Sequence, residues 1–457
     1  MAIKKKRILV ILSGVTAVAI AITISIAIMV APGAAFLFKT GNIAATTTTM
    51  TDEQDGSGPT LRDDTLSLDE VTSGLRFPTS MAFLDADNML VLQKNDGQVR
   101  LVSDGKLAER PVLQVNVDYK QEQGLLGIAV WNGSSSSSNE VFLYLTENAT
   151  NGNGKIGAAV NSIYKYRYDW EQKALVNGTL ILRLPGTPGP YHNGGKITIG
   201  PDGYLYAVIG DVTDSISPLG NEAAGKLLDN RSVIVRINRE TGEAPSDNPF
   251  YGIKGLEKVY AYGIRNSFGM DFDPITKVLW MTEDGPDKYD EINVVEPGFN
   301  SGWDRLAGPM AKSNVTTGDL VMLKGAHYSD PVFSWYICVG VTDIKFFDSE
   351  KLGDKYKDNV FVGDINNGNL YFFNVDQDRT GFYFSSNNQP GLEDRVADPI
   401  IDKATGRLDG ELSSIVLGKN FGGRITDIET GPDGYLYVLT YLDGKIYRIS
   451  PGGNATG

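Results

Sequence analysis

The heptapeptide GPDGYLY stands at residues 200–206 and again at 431–437, each time preceded by a short alternating apolar stretch and followed by another. Pro-Asp-Gly is turn chemistry and the flanking alternation has the period of a strand, so each copy reads as a β-hairpin. Related units begin at Met81, Leu126, Met270 and Val341, which with the two heptapeptides makes six. Several run on through a second turn, NDG at 95–97, NNG at 366–368 and LDG at 442–444, into a further strand. Antiparallel units repeated through most of the chain predict an all-β fold, a six-bladed β-propeller of four-stranded blades, in which radial repetition protects the strand edges. Loops on one face of such a ring converge on its axis, so a site should draw residues from several blades.

The other constraint lies at the N-terminus. KKKR at 4–7 precedes an uncharged apolar run of 23 residues at 8–30, long enough to span a bilayer, which needs about 20. A cleaved signal peptide has a shorter apolar core, although the small residues Gly33, Ala34 and Ala35 leave cleavage, and so secretion, as the alternative. Residues 1–35 therefore read as a cytoplasmic basic cluster and one transmembrane helix, with the remainder outside the cell membrane. Residues 36–66, including TTTTMTDEQDGSGP, have little apolar content and read as a flexible stalk. The propeller is expected over 67–457.

Composition excludes several chemistries. A formal charge of -14 without a basic block in the exported part offers little to nucleic acid. The single Cys338 rules out an intramolecular disulfide and thiolate-rich metal sites, and two histidines rule out a site needing three. No Gly-rich fingerprint follows a strand and opens a helix, so a dinucleotide cofactor is not expected.

Three stretches depart from what hairpins require. His192 and Asp211 lie at the two ends of YHNGGKITIGPDGYLYAVIGD. If the strands between them form a hairpin, the two meet, and an imidazole held by a carboxylate is a competent general base. Arg265 and Asn266 sit in a turn before an apolar strand, where the pair would hold a carboxylate or polarise a carbonyl. The segment 283–304 holds five acidic residues between Glu283 and Glu291. Carboxylates with turn carbonyls suit calcium, and equally a solvated acidic loop. His327, in KGAHYSDPVFSW, reads as structural.

Taken together, QGLLGIAV at 123–130, HNGGKITIGPDGYLYAVIGD, SVIVRINRETGEAPSDNPFYG, YGIRNSFGMDF and EDGPDKYDEIN with GFNSGW resemble the glucose/sorbosone dehydrogenase family, from about Phe77 to Pro451. The resemblance implies a quinoprotein that oxidises aldose sugars at C1 and passes electrons to an external acceptor. It also implies pyrroloquinoline quinone (PQQ) on the axial face and calcium bridging cofactor and protein. His192 matches the family's general base, Asp211 its orienting carboxylate, and Arg265 and Asn266 its cofactor contacts, with Asp284 beside them. Gly285 and Pro286 match carbonyl ligands of the cofactor calcium, and Glu291 and Ser301 a second calcium site.

Departures from the family pattern cluster at the cofactor. Glu122 stands where some members have a Gln, Asn366 replaces a Lys, and of two Arg near the last blade Arg424 is kept while the other becomes Thr426. Each charge-assisted bond lost costs roughly 1 to 3 kcal/mol. Two alternatives follow: a propeller that has lost the quinone and binds carbohydrate or a protein, and a calcium-dependent lactone hydrolase, whose axial carboxylate cluster the acidic loop at 283–304 would supply.

Overall fold

The computed structural model describes residues 58–133, 139–150, 156–213, 217–225, 228–385, 389–398 and 411–452. The expected anchor and most of the expected stalk lie outside these residues. Among the described residues, no helix is long and apolar enough to cross a membrane.

Six sheets form six blades. The first holds Pro78–Phe83, Asn88–Gln93, Gln98–Ser103 and the short Lys106–Leu107, with Leu113–Gln114 beside the third strand. The second holds Leu125–Asn132, Asn139–Thr150, Ile156–Asp169 and Ala174–Pro185, and the third Ile197–Ile199, Leu205–Ile209, Val233–Ile237 and Val259–Tyr262. The fourth holds Met270–Phe272, Leu279–Glu283, Lys288–Val295 and Phe333–Ile337, edged by Val396–Ala397, which pairs parallel. The fifth holds Val341–Phe347, Asn359–Asp364, Leu370–Phe373 and Val416–Lys419. The sixth holds Ile425–Thr430, Leu436–Thr440 and Ile446–Pro451, and takes its outer strand from the other end of the chain, Leu66–Thr72.

That closure corrects the expected stalk boundary. Thr60–Leu61 pairs with Val416–Lys419 at the edge of the fifth blade, and Leu66 pairs with Pro451. The stretch 60–66 is mostly polar in sequence, but the open edges of the last two blades supply the hydrogen bonds that make strands of Thr60–Leu61 and of Leu66–Thr72.

The repeated heptapeptide has one physical reason in both places. Asp202 accepts from the Tyr204 amide at 3.2 Å and the Tyr206 hydroxyl at 2.8 Å, and Asp433 accepts from Tyr435 and Tyr437 at 3.1 and 2.8 Å. A Cβ on Gly200 would stand 2.6 Å from the Tyr206 ring, and one on Gly431 2.4 Å from that of Tyr437. The tyrosine thus lies across the turn and only glycine fits beneath it.

Apolar side chains gather in six clusters, one between each pair of neighbouring blades. This is why middle strands such as Leu205–Ile209 and Leu436–Thr440 are buried along their whole length: each sheet packs on both faces. Antiparallel order also fixes where a site can be. The entry to each inner strand and the turn between its second and third strands share one end of the ring, and the residues singled out in the sequence stand there.

Candidate active site

Two motifs from neighbouring blades touch at the site. His192 and its neighbours enter the inner strand of the third blade, and QGLLG enters that of the second. A Cβ on Gly127 would stand 2.0 Å from the Gly195 carbonyl oxygen, so the two backbones pack directly. Asn193 is buried, accepting from Tyr144 on its carbonyl at 3.0 Å and from Asn161 on its side chain at 3.2 Å. His192 itself is in the left-handed region, φ 58°, a conformation that costs a non-glycine residue free energy and persists only where the surroundings hold it.

The hairpin returns Asp211 to His192 as the spacing predicts. His192 Nδ1 lies 2.6 Å from Asp211 Oδ1, with the side chains 12% and 2% exposed. Asp211 Oδ1 also accepts from the Thr213 amide at 3.0 Å, and Oδ2 accepts from the Trp303 indole N–H at 2.8 Å. The carboxylate fixes the ring through Nδ1 and leaves Nε2 as the nitrogen that can take a proton.

Glu122 is built into the same corner. Its Oε2 accepts from the His192 amide at 2.7 Å and from Asn266 Nδ2 at 3.0 Å, while Asn266 Oδ1 accepts from Gly194 N at 3.1 Å. Arg265 N donates to Glu283 Oε1 at 2.7 Å, its Nη1 to the Asp284 carbonyl at 3.1 Å, and its guanidinium lies 5.4 Å from the centre of the Trp303 ring. Its Nε is buried without a hydrogen-bond partner, as is Asp284 Oδ1. A buried donor left open suits an anionic ligand.

The acidic loop is a hairpin, and its register puts Glu283 directly opposite Glu291. Like charges at that position repel. Burial, with Glu291 adding to it, pushes Glu283 up to about 8, and burial pushes Glu291 up to about 7. Ser301 Oγ donates to Glu283 Oε2 at 2.5 Å, and Asn293 donates to Glu291 at 3.1 Å. Asp284 is also held well above the carboxylate range, by burial and then by Asp290. Asp290 anchors the turn: it accepts from Gly285 N at 2.9 Å and from Val339 and Gly340 N at 2.7 Å each. The Gly285 and Pro286 carbonyls accept no backbone N–H among the described residues. Crowded buried carboxylates beside open carbonyls are a donor set that fits calcium.

Two expected residues stand at the margin. Asn366 is exposed in its turn, with its amide on the Val339 carbonyl at 3.2 Å. Arg424 is half-buried without an ion pair among the described residues, and Thr426 bonds the Pro78 carbonyl at 3.0 Å. Glu283, Trp303 and Lys94 were not singled out in the sequence. Lys94 lies on the same face, its ammonium on the Gln121 carbonyl; burial pulls it down to about 8, opposed by Glu122. Reading DGPDKYD as a hairpin turn would have set Glu283 against Glu291.

The acidic group best gathered for a metal lies elsewhere, on the ring axis: Asp343, Asp427 and Glu429. Lys196 fills it, with Nζ 2.8 Å from Asp343, 2.7 Å from Asp427 and 3.9 Å from Glu429. Lys345 lies 3.0 Å from Glu429 and 3.5 Å from Asp271. With these ammonium groups in place, the axial cluster is no open metal centre.

Residues 75–448 match the family model described as Glucose / Sorbosone dehydrogenase. The chain is 27% identical to aldose sugar dehydrogenase YliI of Escherichia coli over 398 residues, 85% of this chain and 93% of that protein. It is 27% identical over 256 residues to quinoprotein glucose dehydrogenase B of Acinetobacter calcoaceticus, 52% of each. Among solved structures, the apo form of the soluble E. coli aldose sugar dehydrogenase superposes with a TM-score of 0.64 at 25% identity, covering 85% of this chain and 100% of the other. The PQQ-bound aldose sugar dehydrogenase of Streptomyces coelicolor shares the fold, with a TM-score of 0.59 at 24% identity over 84% and 98%.

Proposed function

The chain belongs to the glucose/sorbosone dehydrogenase family, and from that premise we propose that it is a calcium- and PQQ-dependent aldose dehydrogenase held on the outer side of a membrane by residues 8–30. The observation that carries the reading is the His192–Asp211 pair, set in a corner that also presents Arg265 and the Gly285–Pro286 turn.

When bound, the quinone supplies the acceptor for the hydride leaving sugar C1. His192 Nε2 takes the proton of the anomeric hydroxyl, so that C1 becomes a lactone carbonyl. Asp211, already bonded to Nδ1, stabilises the imidazolium that results. Arg265, with Nε open, and Arg424, without an ion pair among the described residues, would face the cofactor's negative charge. Glu122 holds the His192 amide and Asn266, so its carboxylate serves the scaffold of the base. Gly285 and Pro286 would hold the cofactor calcium through carbonyls, and Glu283, Glu291 and Ser301 the second ion. Electrons would leave to an external acceptor.

The test is dye-linked oxidation of aldoses by the full chain in detergent, with PQQ and calcium added. Turnover that needs both additions and is lost in His192→Ala is expected. Turnover that survives His192→Ala would remove the assigned base. Protease cleavage of the propeller in intact cells, with the 4–7 cluster protected, is the expected topology; the reverse pattern overturns the anchor.

A further inference from the structure

Trp303 touches both halves of the site. Its indole N–H donates to Asp211 Oδ2 at 2.8 Å, and its ring lies 5.4 Å from the Arg265 guanidinium. Its own backbone is fixed from two sides. Trp303 N donates to the Gly263 carbonyl at 3.0 Å, and its carbonyl accepts from Asn221 Nδ2 at 2.7 Å. Asn221 in turn exchanges side-chain amide bonds with Asn300 at 2.8 and 2.9 Å, three residues before the tryptophan. An aromatic side chain with two rotatable bonds, clamped at its base, is a stiff strut.

We infer that Trp303 is a positioning residue: it holds Asp211 against His192 with its N–H and carries Arg265 on its ring, so that the proton-accepting side and the cofactor side are registered by one side chain. This rests on the dehydrogenase reading of the same site. Asp211 has three donors, Trp303 Nε1, Thr213 N and His192 Nδ1. Removing the indole N–H leaves two, so the carboxylate's charge is less satisfied and it binds the protonated imidazole more strongly. The other charged groups around this pair are Glu122, bonded to the His192 amide, Arg265 across the indole, and Asp304, which feels both Glu222 and Asp211.

Two variants separate the two roles. Trp303→Phe removes the N–H and keeps a face for Arg265; Trp303→Leu removes both. In Trp303→Phe, the acid limb of the kcat/KM profile moves to higher pH by roughly half a unit to one unit. Its quinone affinity stays within about twofold of wild type, whereas Trp303→Leu weakens it by roughly three- to tenfold. A second readout needs no turnover. The chain has two histidines, so the proton between His192 Nδ1 and Asp211 gives an isolated downfield resonance in the cofactor-free protein, assigned by its loss in His192→Ala. That resonance moves in Trp303→Phe. If the wild-type chain shows no quinone-dependent turnover, the dehydrogenase reading fails and the resonance alone judges the role of Trp303. An acid limb and a resonance both unmoved in Trp303→Phe, with only a general loss of stability or plateau rate, would overturn the inference.

Discussion

The ring axis and the loop after the fourth blade's second strand each gather four carboxylates, and the chain supplies counter-charge to the two groups differently. On the axis, Asp271, Asp343, Asp427 and Glu429 share Lys196 and Lys345. Burial works against the charge on Lys196, but Asp343, Asp427 and Glu429 outweigh it and hold the ammonium well above its ordinary range. In the loop, Glu283 and Asp284 have Arg265 nearby, and burial raises all four carboxylates, Asp290 and Glu291 included. On the axis burial also raises Asp343 and Glu429, but Lys196 and Lys345 oppose it. The first cluster knits the third, fourth, fifth and sixth blades with cations of its own. The second is left short of positive charge on the face where the base stands. Whether the chain supplies its own counter-charge separates scaffold from site here.

Substitutions can break that contrast. Lys196→Met should cost about 3 to 5 kcal/mol of stability, because it leaves Asp343 and Asp427 buried without their cation. Urea unfolding measures it, and a loss below about 1 kcal/mol would mean the axis does not depend on the lysine. His192→Ala should lower turnover by roughly 10²- to 10⁴-fold. Its unfolding midpoint should stay near wild type, as expected of a residue on the site side of the comparison.

The loop should reveal itself through pH. Glu283 at about 8 and Glu291 at about 7 exceed their unfolded value of 4.5. Between those values the folded chain binds more protons than the unfolded one, so stability falls as pH rises through that window. Below the unfolded value the effect vanishes. Metal-free protein should therefore lose several degrees of melting temperature between about pH 5 and pH 8. Calcium, competing with those protons, should flatten the slope. A slope unchanged by calcium would argue that no divalent ion binds there. The smallest effect is Glu122→Gln, which keeps an acceptor for the His192 amide and Asn266 but removes one negative charge; quinone affinity should rise by roughly three- to tenfold. Calorimetric titration measures it.

The contrast also marks what the sequence made legible. Six blades could be read because hairpin turns are local: GPDGYLY carries its own reason within seven residues. The base pair could be read because His192 and Asp211 flank one hairpin and histidine is scarce. The axial cluster could not, since Lys196 meets partners 147 and 231 residues away and KITIG looks like any inner strand. The strand at Thr60–Leu61 was hidden for a related reason, because its partner lies at Val416–Lys419 and its own composition is polar. Trp303 stood in a quoted motif, but nothing local ties an indole to a carboxylate 92 residues earlier.

The central claim is that the under-neutralised face takes up calcium and the quinone together. Calorimetric titration of the metal-free full chain with PQQ, with and without calcium, tests it most directly. Binding that appears only with calcium, and persists in His192→Ala, is the predicted result. No heat at millimolar calcium and high micromolar quinone would contradict the account.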